Sequence, residues 1–238
     1  LLGTRIFEKF ANQRKFGFRM AGTPSANSID AYTVKTITPT TPGVAQFTST
    51  AATDKVIFDA DFNTDSGEPP ALQIMHALVK SGEAELLACT TMVRNADVVN
   101  AMYGMNSYYG RSSITMGVTS KTTFTTAAAW VTTMATNYGG AGPGLTAENS
   151  ITVMRQKLNS AADGSVIIMS GGYLTNIADL LQSGANHLSD GIMLTGLQLV
   201  TQKVKRIAIM FACFGYRSDS GTLGGLVEYN AGGDKVST

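Results

Sequence analysis

Long apolar runs are missing from this chain of 238 residues. No stretch approaches the roughly 18 apolar residues of a membrane span, so the sequence offers no transmembrane segment. An excess of charge is missing too. Lys and Arg number 18 against 17 Asp and Glu, a net charge of +1, which gives no electrostatic reason to seek nucleic acid or an anionic membrane as a partner. Cysteine is scarce: Cys89 and Cys213 each lie in an apolar segment that reads as a strand, which predicts two buried free thiols rather than a framework disulfide. No Asn-x-Ser/Thr glycosylation acceptor occurs. The chain opens on Leu1 rather than Met, the start expected of a processed or partial chain, and no intact signal peptide is read from it.

What is present suits a folded domain. Hydrophobic residues make up 44% of the chain, enough to bury a substantial core in one domain, or one domain plus an arm. Charged residues are only 15%, while Thr, Ser, Gly, Ala and Asn are plentiful. That surface suits a secreted protein or a subunit whose faces are covered by neighbours.

Residues 1–54 read as an N-terminal arm. The first twenty, LLGTRIFEKFANQRKFGFRM, interleave basic and aromatic side chains, as a targeting remnant, a surface-binding helix or an arm packed on another subunit would; an extension lying on its own domain fits equally. The next segment is rich in Thr, Ser, Pro and Ala without a sustained period, so it reads as loop or extended chain.

From residue 55 to 238 continuous apolar runs alternate with helical periodicity. KVIFDAD reads as a strand. PPALQIMHALVKSG then reads as a helix, with Pro69 and Pro70 at its start, Leu72, Met75, Leu78 and Val79 on one face, and Gly82 at its stop. His76 falls opposite that face and reads as a surface residue. Further strands are expected over 84–92, 113–120, 165–170 and 205–214, the last of them buried, with helices over 95–110, 144–162, 174–184 and 195–203. Residues 121–145 read as a loop holding one short helix at most. Such alternation predicts an α/β fold, a mainly parallel Rossmann-like sheet with helices on both faces. Ligands of such sheets lie beyond the carboxyl ends of the strands, and Asp59 and Asp61 fall at one such end.

The stretch DADFNTDSGEPPAL, residues 59–72, crowds Asp59, Asp61, Asp65 and Glu68 together. With TTMVRN (90–95), GYLTNIADLL (172–181), KVKRIAIM (203–210) and VEYNAGGD (227–234) following in order, residues 55–238 resemble the nucleoside hydrolases, calcium-dependent enzymes that cleave the N-glycosidic bond of ribonucleosides. The resemblance implies a nucleoside-hydrolase-like fold, Ca2+ as cofactor and a nucleoside or related N-glycoside as partner. It implies Asp61 as general base and metal ligand, Asp65, Glu68 and the Gly171 carbonyl as further ligands, and Asn95, Met210, Glu228 and Asn230 as the lining of the ribose pocket.

The chain also departs from that pattern. One acid of the family's Asp-Asp pair is replaced, whether the pair is set on Asp65 and Ser66 or on Gly67 and Glu68. Its Met-Gly-Gly turn is Met210-Phe211-Ala212 here, and its late segment, with another aspartate ligand and a histidine, has no counterpart before Thr238. Acids at strand ends and helix starts also favour the helix N-terminus without any metal, and Asn95 at the head of its helix has the position of an N-cap. Two functions follow as expectations: a divergent, calcium-dependent hydrolase of weakened or lost activity, or a non-catalytic subunit that self-assembles through residues 1–54 and low-charge surfaces.

Overall fold

The structure, a computed structural model, describes residues 53–63 and 67–210. The arm, apart from residues 53 and 54, lies outside the described residues, as do Asp65, Cys213, Glu228 and Asn230.

Six strands form one sheet: β1 (Asp54–Asp59), β2 (Ala84–Thr91), β3 (Thr115–Val118), β4 (Glu148–Asn149), β5 (Val166–Ser170) and β6 (Val204–Ile209). Their spatial order is β4-β3-β2-β1-β5-β6 and every pairing is parallel. Among the described residues six α-helices connect them: α1 (Glu68–Lys80), α2 (Ala96–Tyr108), α3 (Ala129–Tyr138), α4 (Ser150–Ser160), α5 (Thr175–Gln182) and α6 (Gly196–Lys203). None of these helices is long and apolar enough to cross a membrane.

Alternation along the central strands divides the core in two. Val56 and Phe58 of β1 join one cluster with Leu72 and Met75 of α1 and Val98, Val99 and Met102 of α2. Ile57 points the other way, into a cluster with Ile151, Met154 and Leu158 of α4, Leu180 of α5 and Leu199 of α6. Strands apolar at both parities are therefore covered on both faces, the physical reason they read as unbroken hydrophobic runs. The second cluster encloses a charged clasp. The Arg155 guanidinium, fully buried on α4, pairs with Asp190 and donates to Ser183 Oγ (3.0 Å), Ile192 O (3.1 Å) and Leu194 O (2.9 Å), which pins the connection leading to α6.

The ends of α1 follow local chemistry. Pro69 and Pro70 occupy its first turn, where no backbone donor is needed, and Gly82 takes up φ +76° just past its end. Its buried face differs from expectation. Leu78 is exposed at 36%, and His76 is fully buried rather than at the surface. His76 stands one turn from Leu72, at the margin of the apolar stripe, and α2 supplies it with partners: Asn106 Oδ1 lies 3.0 Å from Nε2 and the Tyr109 ring stacks at 4.5 Å. Cys89 is buried as a free thiol, and burial pushes it up to about 12.

Candidate functional site

A doubly wound sheet opens a crevice at the carboxyl ends of its strands where the winding direction reverses. The reversal here lies between β1 and β5, because β2, β3 and β4 run out on one side and β6 on the other. The segments leaving β1 and β5 carry the acids and glycines singled out above.

Asp59, the last residue of β1, is fully buried. Its Oδ1 accepts hydrogen bonds from Thr90 Oγ1 at 2.7 Å and Asn176 Nδ2 at 2.8 Å. Its Oδ2 has no hydrogen-bond partner among the described residues, and neither do Ser170 Oγ or Asn176 Oδ1. Burial pushes the Asp59 carboxyl up to about 7; the Asn176 and Thr90 hydrogen bonds pull it down, and the charge of Asp61 adds to the rise. The nearby Ser170 hydroxyl lowers it slightly without a hydrogen bond of ordinary geometry. The deeper acid of the Asp59–Asp61 pair thus resists ionisation.

Asp61 is 5% exposed and Glu68, at the head of α1, is 3% exposed. Two glycines after β5 bring the main chain up to both. A Cβ on Gly172 would stand 2.5 Å from Asp61 N and 2.8 Å from Met92 Sδ, so a side chain is excluded there. A Cβ on Gly171 would meet Glu68 Cγ at 3.7 Å. Asp61 and Glu68 thus both lie against the Gly171–Gly172 segment, and carboxylate oxygens of this kind are the ligands a hard divalent cation takes. Among the described residues no three His, Cys, Asp or Glu side chains converge as a metal-holding group.

Of the expected substrate residues, Asn95 and Met210 lie within the described residues. Asn95 is the N-cap of α2: its Oδ1 accepts from Asp97 N at 2.8 Å, and its Nδ2 donates to Thr125 O at 2.8 Å. Met210, 44% exposed at the end of β6, donates its N–H to Ser170 O at 2.9 Å.

Thr125 belongs to a strap, residues 119–128, most of which falls in the loop expected over 121–145. It crosses from the end of β3 over the exits of β2, β1 and β5. Arg94 N donates to Phe124 O at 2.7 Å and Arg94 Nη1 to Thr119 O at 3.1 Å. Asn63, two residues beyond Asp61, grips the far end, donating from Nδ2 to Thr126 O and accepting at Oδ1 from Ala128 N, both at 2.7 Å. Lys121 pairs with Asp179 of α5 at 2.7 Å, and the Phe124 ring lies on Tyr173 with centroids 3.9 Å apart and planes 3° from parallel. Between Asp61 and Asn63, Phe62 adopts φ +48° and packs on Trp130 at 5.9 Å, a left-handed backbone that a bulky residue rarely takes. Asn63, Thr90 and Tyr173 were not singled out from sequence. The one available signal was an Asn and a strand-terminal Thr beside the acids, residue types that bind main chain wherever loops meet.

No protein-family model matches this chain, and no curated protein sequence does. Solved structures match its fold. A plant nucleoside hydrolase, the PpNRh1 enzyme, is similar with a TM-score of 0.53 and 23% identity over 77% of this chain and 55% of that one. The type III effector protein XopQ, solved with adenosine diphosphate ribose, gives 0.54 and 15% identity over 78% and 51% of the two chains. The inosine-uridine preferring nucleoside hydrolase from Bacillus anthracis gives 0.52 and 16% identity over 77% and 60%. The chain spans about half to three fifths of the length of these structures. At these identities the likeness is one of fold, a nucleoside-hydrolase-like α/β sheet.

Proposed function

We propose that the crevice between β1 and β5 binds an N-glycoside of the nucleoside class and that Asp61 serves there as general base in hydrolysis of the glycosidic bond. The observation that carries this reading is the packing of Gly171 and Gly172 against Glu68 and Asp61, two buried acids on the segments that leave β1. Two of the similar folds are nucleoside hydrolases, and a third was solved with a ribosyl ligand, which supports the substrate class.

In hydrolysis a water oxygen bonds to the anomeric carbon as the bond from that carbon to the base nitrogen breaks. The water's proton passes to Asp61 and the leaving nitrogen takes up a proton. Asp61, Glu68 and the Gly171 carbonyl would hold calcium, with Asp65 as a further ligand expected from sequence. When bound, the ion orients a sugar diol and lowers the pKa of a water. Asp59 braces this arrangement from below by fixing Thr90 and Asn176.

Titration calorimetry with calcium, paired with inosine hydrolysis, tests the reading. Binding and turnover are expected in the wild type and both are lost in Asp61→Asn. A folded wild-type sample with neither sinks it. A second reading, a chain that has lost catalysis, draws on Asn95, whose polar atoms are engaged by the α2 cap and the strap. That engagement bears on catalysis alone; assembly through residues 1–54 rests on the sequence.

A further inference from the structure

Thr90, Asp59 and Ser170 are registered neighbours across β2, β1 and β5, so their side chains stand in a row on one face of the sheet. Thr90 and Asn176, the latter from the first turn of α5, both donate to Asp59 Oδ1. Three polar atoms around the same carboxyl are left without a hydrogen bond among the described residues: Asp59 Oδ2, Asn176 Oδ1 and Ser170 Oγ. All three residues are buried. Buried polar atoms almost always find partners, so three orphans gathered at one point indicate a partner in common. Pairing among themselves does not supply it while the carboxyl is ionised. Two of the atoms then only accept, the Ser170 hydroxyl donates to one of them at most, and turning the Asn176 amide over would set its oxygen against Asp59 Oδ1.

A water molecule is the complement of this set, with hydrogens for Asp59 Oδ2 and Asn176 Oδ1 and a lone pair for the Ser170 hydroxyl, the number of bonds typical of a buried water. It fits the protonated carboxyl equally, accepting from Asp59 and Ser170 and donating to Asn176. We propose that one ordered water sits at this point and ties the exits of β1 and β5 to the head of α5. A hard cation fits less well, because three oxygens are about half of its usual ligand set. Asp59 lies just before Asp61 in the chain, and Ser170 just before Gly172, whose backbone packs on Asp61. Gly171 N already donates to Asp59 O at 2.8 Å, so the water adds a side-chain tie to a main-chain one at the root of the crevice. Ser170 and Asn176 are therefore positioning residues, remote from the reacting atoms. The tie goes beyond the hydrolytic reading, since it frames the crevice whatever ligand enters.

A crystal structure of the full chain, at a resolution that shows ordered solvent, is expected to place one water at hydrogen-bond distance from all three atoms. In solution, magnetic relaxation dispersion of the water oxygen detects long-lived internal waters. It should register one fewer in Ser170→Val than in wild type, because the branched side chain removes the hydroxyl and takes up its space; circular dichroism confirms the fold. In crystals of that variant the Gly171–Gly172 segment is expected to be displaced from Asp61. Wild-type density with no water, and Asp59 Oδ2 set directly against Asn176 Oδ1 as a protonated acid, overturns the proposal. So does a cation at the same point, recognised by shorter contacts and further oxygen ligands. An unchanged dispersion, or an unmoved Gly171–Gly172 segment, in folded Ser170→Val overturns the tie. The wild-type crystal carries the test if Ser170→Val does not fold.

Discussion

Helix α1 touches two buried polar centres of opposite character. At its head lies buried Glu68, beside the Gly171–Gly172 segment that also packs on Asp61, and close by Asp59 Oδ2, Ser170 Oγ and Asn176 Oδ1 go without hydrogen bonds among the described residues. About two turns on, His76 sits in a matched setting: Nε2 meets Asn106 Oδ1 at 3.0 Å, Nδ1 lies 3.4 Å from Arg111 Nη1, and Asn106 Nδ2 reaches Met116 Sδ at 3.4 Å. Satisfied polar networks specify a core, whereas like charges and unmet oxygens are retained where chemistry needs them. The contrast supports the proposed role of the first centre and gives the second a structural one.

The largest expected effect comes from removing the charge at the first. Asp59 titrates near 7 in the fold against an ordinary 3.8, so between those values the native state holds a proton that the unfolded chain releases. Stability is therefore fully present below about pH 4 and falls as pH rises through about 7, by an upper bound of about 4 kcal/mol. In chelator-treated protein, Asp59→Asn should abolish this limb while its Oδ1 keeps the Thr90 and Asn176 bonds. Thermal melts across pH 5 to 8 check it. A wild-type melting temperature that stays level over that range would remove the electrostatic half of the comparison.

A smaller effect tests the packing that makes the first centre. Gly172→Ala drives a Cβ to within 2.5 Å of Asp61 N, and the main chain has to shift. A loss of ~1–3 kcal/mol is expected, measured by denaturant unfolding, together with weakened calcium binding. Gly164→Ala supplies the control, since its φ of +58° strains a side chain while nothing lies within 4 Å of its Cβ position. Loss of calcium affinity in both variants would tie the effect to general destabilisation rather than to the crevice.

How far these centres were legible in sequence follows from the range of their interactions. Strands β1, β2, β3 and β5 announced themselves because burial leaves nearly unbroken apolar runs, and α1 because proline and glycine act within a turn; β6 was expected as a buried strand, yet Lys205, Arg206, Ala208 and Ile209 are exposed on it. Helix α3 buries only Val131 and Ala135, so AWVTTMATNY carries almost no stripe, and the two-residue β4 was absorbed into the helix expected over 144–162. Asp61, Glu68 and Gly171 could be named as candidates, yet their approach depends on glycines more than a hundred residues away. The strap was hidden for the same reason, since its grip at Asn63 spans 63 residues to Thr126. His76 misled because a hydrophobic count treats every polar residue as outward, while its burial depends on Asn106, thirty residues on.

The smallest effect should come from the second centre, with the opposite pH sign. Burial holds the His76 imidazole below its ordinary 6.5, with the Asn106 hydrogen bond opposing and the Arg111 charge adding to the drop. Below about pH 6.5 the unfolded chain binds a proton that the native state resists, so stability is fully present above that value and declines as pH falls through it. His76→Gln keeps a hydrogen-bonding side chain beside Asn106 and has no titration in this range. It should flatten the acid limb while leaving the Asp59-dependent limb untouched, because Asp59 bonds to Thr90 and Asn176 whereas His76 meets Asn106 and Arg111. Melts of His76→Gln, Asp59→Asn and the double variant from pH 5 to 8 decide this. Additive changes keep the centres separate, whereas coupling between them would mean that the matched network also tunes the crevice, and the division between structure and function along α1 would fail.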